Sequence, residues 1–203
     1  MLINFPEIVR NSGISCKNLI HVGAHWGEET EDYFSMGVTH IYYIEASAKN
    51  FVELQNRCGG RDNITLINVA CGSKEDIVPM YVSHQNQGQS NSILEPELHL
   101  EQHPEIQFND AEIVNVVTLD SLKLPCDILV MDVQGYEGEV LKGGVETFKQ
   151  AKMIYTEVNR GQTYKGNMEI QEMDAMLAGY GFKRLHTYWP SENWTWGDAV
   201  YVK

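Results

Sequence analysis

Three acidic residues close apolar runs in this chain: Glu45 after "HIYYI", Asp132 after "DILVM" and Glu157 within "MIYTEVN". Gln134 and Asn159 stand beside the last two. If the runs are parallel strands, their tips share one rim, and carboxylates gathered there need a cation, a donor or a proton between them. Such a carboxylate can take a proton from a hydroxyl or orient it. Asp132, Glu157 and Asn159 together would also suit Mg²⁺, which takes oxygen ligands and keeps several waters. The plainer alternative for each acid is a helix-capping or cofactor-holding carboxylate.

A second feature precedes Glu45. In "LIHVGAHWGEE" (19–29) an apolar run leaves through Gly23-Ala24-His25-Trp26-Gly27 into an acidic stretch. A bare turn opening a helix offers its backbone N–H groups to an anionic group, although G-x-x-x-G alone is a common pattern. Glu45 lies 22 residues after Gly23, about where a nucleotide-binding fold carries the acid for ribose hydroxyls, and a carboxylate can accept from both. His25, His84 and His186 can act as bases near neutral pH; His84 lies nearest the long insertion described below, and an exposed, idle role is the reading preferred for each. The aromatic stretch "YWPSENWTW" (188–196) is either a packed hairpin, the preferred reading, or a flat platform for a sugar ring.

These residues need a scaffold that brings strand ends together. Strands are expected over 18–24, 40–46, 63–72, 126–135 and 151–159, and helices over 28–37, 48–58 (capped by Ser47), a short piece after residue 135, and 168–181. Near-continuous apolar strands alternating with helices indicate an α/β fold with a mainly parallel sheet covered on both faces. The last two strands, over "FKRLHTYW" and "DAVYVK", have no helix between them and are expected as an antiparallel hairpin. Further strands are expected over "IVPMYVSH" and "EIVNVVTLD". The polar connection between them, an insertion at about 83–111, is too long for a casual loop and reads as a lid. The whole reads as a single domain over 1–203. In open α/β sheets ligands bind beyond the carboxyl ends of the strands, where strand order reverses.

Composition narrows the partners. Net charge is −13 without a Lys/Arg cluster, so a polyanion is repelled over most of the surface and nucleic acid is not an expected partner. No apolar run is long enough to span a bilayer, and "MLINFPEIVRN" lacks the basic and apolar regions of a signal peptide. Cys16, Cys58, Cys71 and Cys126 form no C-x-x-C pair, against both a metal framework and disulfides. A cytoplasmic protein with reduced thiols is expected.

The ordered set "IHVGAHWG", "YYIEA", "INVACG", "SNSILEP", "VNVVTLD", "DILVMDVQGYEGEVLKGG" and "IYTEVN" resembles the FkbM family of S-adenosylmethionine-dependent methyltransferases over about residues 18–160, most specifically in "LDSLKLPCDILVMDVQGYEGEVLKGG". The resemblance implies the class I Rossmann-like methyltransferase fold and O-methylation of sugars or natural products. It assigns Gly23, Ala24 and Gly27 to the loop around the methionine end of S-adenosyl-L-methionine and Glu45 to its ribose. Val69 and Ala70, at the end of the third strand, pack on adenine, and Asn91 and Ser92 close the pocket. His21 stands where members commonly carry Asp, and Gln134 where they often carry Glu. Asp132, also a cofactor-side residue, is the first choice for the base or hydroxyl-orienting acceptor, and Glu157 the second. The expected activity is O-methyl transfer to a sugar or glycan hydroxyl, with a glycosyltransferase as a potential fused or separate partner. The alternatives are a methyltransferase of non-sugar natural products, a catalytically silent nucleotide-binding scaffold, and a nicotinamide-dependent oxidoreductase. The last lacks G-x-G-x-x-G after the first strand.

Overall fold

The computed structural model describes residues 1–203. In chain order the elements are α1 (Phe5–Ser12), β1 (Asn18–Val22), α2 (Thr30–Ser35), β2 (His40–Ile44), α3 (Ala48–Cys58), β3 (Ile64–Ile67), β4 (Ala70–Cys71) and β5 (Asp76–Val82). There follow α4 (Leu98–Gln102), β6 (Asp110–Val117), a 3₁₀ turn (Leu119–Leu122), β7 (Ile128–Met131), α5 (Glu137–Lys142), α6 (Val145–Gln150), β8 (Met153–Asn159), α7 (Ile170–Ala178), β9 (Lys183–Tyr188) and β10 (Trp196–Val202).

Period-2 alternation decides which residue faces which layer. Along β1, Leu19 joins one core cluster with Ile41, Tyr43, Ile128, Val130, Met153 and Tyr155, covered by residues of α1, α2 and α3. Ile20 and Val22 face the other way, with Ile44, Leu129, Met131, Ile154 and Val158, under α5, α6 and α7. Strands buried on both faces must be apolar throughout, which is why "ILVM" of β7 is buried at every position. Phe148 on α6 and Phe182 before β9 are fully or almost fully buried in that second layer, each contributing roughly 2–3 kcal/mol of apolar burial.

The main sheet has seven strands in the order β3-β2-β1-β7-β8-β10-β9. Its first five strands run parallel. The final pair is antiparallel, with β10 inserted between β8 and β9. The expected mainly parallel sheet with a C-terminal antiparallel hairpin is therefore present. Strand order reverses between β1 and β7, since the chain builds outward from β1 to β3 and then returns to the other side of β1.

Several expectations are corrected. The stretch 63–72 is two strands in two sheets: β3 ends at Ile67, and Ala70–Cys71 pairs instead with β6 in a three-stranded sheet β4-β6-β5. Asn68 makes the break, its amide donating to the carbonyls of Glu45 (2.8 Å) and Ala46 (3.2 Å), which turns the chain away from β2. Helices α1 and α6 were not expected; α1 is capped by Asn4, whose side chain accepts from the Glu7 N–H. The Ser47 cap of α3 is present, accepting from the Asn50 N–H. Residues 83–111 are ordered, pinned by the Tyr81–Ser92 bridge and carrying α4. All four cysteines are buried and unpaired.

The tightest backbone approach lies at the reversal. Gly23 has φ +82°, and a Cβ there would sit 1.8 Å from the Asp132 carbonyl oxygen. A Gly23→Ala variant combines a left-handed φ with a collision against backbone that cannot swing aside. The expected loss is about 3 kcal/mol or more, read as a lowered denaturation midpoint in urea; a variant as stable as the parent would contradict this packing.

Candidate active site

A cleft of about 630 Å³ opens over the carboxyl ends of β1, β2, β7 and β8, at the reversal. At its cofactor end lie His21, Gly23, Ala24, Glu45, Val69, Ala70 and Asn91. The turn after β1 is held by the Gly23 and Ala24 N–H groups donating to the Ile44 carbonyl at 2.9 and 3.1 Å. Glu45 is buried, accepting from the His25 N–H through Oε2 and the Ser47 N–H through Oε1, both at 2.8 Å. Each oxygen keeps a lone pair, so the carboxylate is fixed in orientation while still able to accept from two hydroxyls. Burial raises its pKa to about 7, against the opposing pull of those N–H donors. His21 is buried, with Nδ1 3.0 Å from the Tyr33 hydroxyl, and burial lowers its pKa to about 4. It therefore presents a neutral ring to the cleft.

At the other end stand Asp132, directly after β7, and Glu157 on β8. Gln134, at φ +53°, lies between them. Its Nε2 donates to Asp132 Oδ1 at 2.7 Å and to Glu157 Oε2 at 2.9 Å. Its Oε1 lies 3.0 Å from the Tyr164 hydroxyl, which also reaches the Ser90 carbonyl at 3.3 Å. One carboxamide thus supplies both N–H groups to two like charges, the office a cation would otherwise fill. The second oxygen of Glu157 is buried without any partner. Asp198 on β10 sits directly across from Glu157 in the antiparallel pairing. It accepts from the Tyr155 hydroxyl and the Leu2 N–H.

The sequence-expected residues do not all converge. Gly27 does not line the cleft; at φ +72° it makes the turn into α2, and a Cβ there would press on Cys58 and Leu54. Ser92 is buried behind the wall, its hydroxyl donating to the Gln134 carbonyl at 2.7 Å. Asn91 does line the cleft, and its Oδ1 accepts from the Ser83 N–H. Asn159 does not line it, and its carboxamide has no partner. No group of three or more His, Cys, Asp or Glu side chains is placed to hold a metal, and the Gln134 amide bridges Asp132 and Glu157. His84 is exposed beside Asp110, and His186 lies on exposed β9.

His99 and His103, which sequence reasoning missed, and Trp196 of the aromatic stretch also line this part of the cleft. Gln102 of α4 and Thr195 exchange hydrogen bonds at 3.0 and 3.1 Å, and the Trp196 indole N–H donates to His103 at 3.2 Å. The insertion is thereby fastened to the start of β10. Of the aromatic stretch, Trp194 stacks on Trp196 at 5.4 Å, and Trp196 faces the cleft; the stretch is both packed and site-lining. The glutamate of "GYEGE", Glu137, is buried and accepts from the Val133 and Gly135 N–H groups, closing the loop that carries Gln134.

Burial and mutual repulsion raise the carboxyl pKa values: Asp132 to about 6, Glu137 to about 7, and Glu157 and Asp198 upward. A folded pKa above the unfolded value of about 4 means that the native state binds more protons in between, so stability falls as pH rises from about 4 to about 7. Buried His21 and His99, both with pKa about 4, oppose this only below about 6.5. The cofactor-free protein is expected to melt higher at pH ~5.5 than at pH ~7.5, and Glu157→Gln to gain about 1–2 kcal/mol at the higher pH. Melting curves at the two pH values check both; a midpoint that rises with pH would contradict the assignment.

Comparison with known proteins agrees with this geometry. Residues 21–184 match the methyltransferase FkbM domain. Over 173 residues, 80% of this chain and 71% of the relative, the sequence is 22% identical to 2-O-methyltransferase NoeI of Sinorhizobium fredii. Among solved structures, a Streptococcus pneumoniae protein proposed to be a tRNA (m1A22) methyltransferase, in complex with S-adenosyl-L-methionine, superposes with TM-score 0.53 at 10% identity, over 100% of this chain and 73% of that one. A Pyrococcus horikoshii protein proposed to be an RNA methyltransferase gives TM-score 0.52 at 11% identity, over 98% and 81%. These likenesses give the fold; the family match gives the activity and, with it, S-adenosyl-L-methionine as cofactor. No helix is long and apolar enough to cross a membrane. With the glycine turn, buried Glu45 and the carboxylate pair in one cleft, the chain belongs to the FkbM-domain methyltransferases, which use S-adenosyl-L-methionine.

Proposed function

We propose that this methyltransferase transfers the methyl group to a hydroxyl oxygen of a sugar or glycan. The carrying observation is the Asp132–Gln134–Glu157 cluster, which stands at the reversal directly against the glycine turn. The cofactor, when bound, supplies a methyl group already activated on a sulfonium. Glu45 would hold the ribose hydroxyls, with Val69 and Ala70 on the adenine side and Asn91 toward the closing segment. The bare backbone at Gly23 and the small side chain of Ala24 leave room for the methionine end.

An alcohol becomes a competent nucleophile only as its proton leaves. Asp132 is assigned to accept or orient that proton, with Glu157 as the second carboxylate. Gln134 keeps Asp132 from turning away, so the hydroxyl meets a fixed acceptor. The sugar assignment is supported by the flat Trp196 wall and by the 2-O-methyltransferase relative; a non-sugar natural product with a ring hydroxyl is the alternative. Residues 1–203 are read as one domain with 83–111 as its cover, working on a small molecule or glycan delivered free or by a glycosyltransferase, in the cytoplasm. The cleft carries no Lys or Arg, which speaks against nucleic acid as acceptor.

Calorimetric titration should give binding of S-adenosyl-L-methionine and its demethylated product, and none of NAD. Glu45→Ala should weaken the first two by about 100-fold, from losing two charge-assisted hydrogen bonds. Asp132→Asn should leave cofactor affinity within about 3-fold and lower turnover on the accepted sugar by roughly 100-fold or more. Unchanged turnover would remove Asp132 from its assigned role.

A further inference from the structure

The charges at the acceptor end point beyond a generic hydroxyl. Asp132, Glu157, Asp198 and Glu105 line it, and no Lys or Arg side chain does. The one fixed positive charge among the lining groups, the Met1 α-ammonium, pairs with Glu29 at 3.5 Å and is attracted at longer range by Asp198 and Asp132 as well, so one ammonium is shared among three acids. Glu157 and Asp198 face each other directly across β8 and β10, and directly opposed residues on paired strands point to the same face. Like charges in that position repel. The sheet cannot relieve this, because every residue of β8 is buried and no basic residue replaces either partner.

A second observation is independent of the charge count. Glu157 is 6% exposed, lines the cleft, and its Oε1 has no hydrogen-bond partner. A buried carboxylate oxygen left unpaired is costly. Its other oxygen already takes the Gln134 amide. Tyr164 and Trp196 line the same cleft, and aromatic rings attract a cation through the ring quadrupole.

We propose that the acceptor end is a subsite for a protonated amine, held by Glu157 and Asp198 against Tyr164 and Trp196. This rests on the proposed O-methyl transfer and narrows its acceptor. The substrate class is an amine-bearing polyol, such as an unacylated amino sugar. Acceptors carrying phosphate or carboxylate, including nucleotide-activated sugars, are disfavoured by repulsion and by the lack of any Lys or Arg side chain to receive the anion. The gain is largest for an ammonium because it supplies both the missing charge and the missing hydrogen-bond donors in one group.

The test uses the full chain saturated with the demethylated cofactor, titrated by calorimetry with D-glucosamine, N-acetyl-D-glucosamine and D-glucose 6-phosphate. Saturation is confirmed first, so a failure of cofactor binding is seen separately from a failure of the subsite. Glucosamine is expected to bind at least about 10-fold tighter than its N-acetyl derivative, with no binding of the phosphate. In Glu157→Gln the preference for the free amine should fall to about 3-fold or less, with cofactor affinity unchanged within about 3-fold. Mass analysis of the same sugars after incubation with S-adenosyl-L-methionine reports the O-methyl reading on its own: methylation without amine preference retires the subsite and keeps the reaction. Equal affinities for the amine and its N-acetyl derivative, tighter binding of the phosphate, or no glucosamine binding at tens of millimolar would each overturn the proposal.

Discussion

The site depends on one contact between backbones. Where the sheet reverses between β1 and β7, the Cα of Gly23 lies so close to the Asp132 carbonyl that no side chain can stand between them. The Asp132 N–H donates back to the Val22 carbonyl at 3.0 Å. The glycine turn and the acidic strand tip are therefore two sides of one wall. A cofactor lying against the turn is within reach of the acid without any loop having to swing. Placement of this kind is fixed by strand pairing, and the apolar layers on both faces of the sheet hold the pairing in register.

Concentrating carboxylates at such a wall costs stability, and the chain offsets the cost locally. Gln134 occupies a left-handed backbone conformation that a side chain adopts reluctantly. Its loop is held there by Glu137 accepting from the Val133 and Gly135 N–H groups, and by Ser92 donating to its carbonyl. The result is a carboxamide aimed between two acids. A glutamate at this position would bring a third negative charge in place of two N–H donors. The electrostatics of this cleft thus turn on one carboxamide.

Much of this was legible in the residues. The apolar runs marked the strands, and the glycine turn, Glu45, Asp132 and Glu157, picked out at strand ends, line one cleft. What escaped has physical reasons. Asp198 was missed because attention to the carboxyl ends of strands holds for parallel neighbours; an antiparallel strand presents its amino-terminal half at the same rim. His99 and His103 sit in a polar stretch without periodicity, and long-range contacts bring them to the cleft: the His99 N–H donates to the Thr163 carbonyl, and Gln102 clasps Thr195. The split of "NITLINVACG" turns on the Asn68 side chain bonding to two carbonyls, a tertiary event with no local pattern. Gly27 and Ser92 were read by motif position as ligand contacts, whereas one shapes a turn and the other braces a loop.

The placement of β10 has a consequence for how the molecule is made. It is the last strand in sequence, yet it lies inside the sheet, between β8 and β9. As the chain is synthesised from its amino terminus, the strands from β1 to β8 can assemble with the cofactor end complete. β8 must then wait with an open edge until residues 196–202 emerge, and those same residues deliver Trp196 and Asp198. With the cleft used as proposed, a nascent chain owns the side that would receive the cofactor before β10 completes the side that would receive the molecule to be methylated.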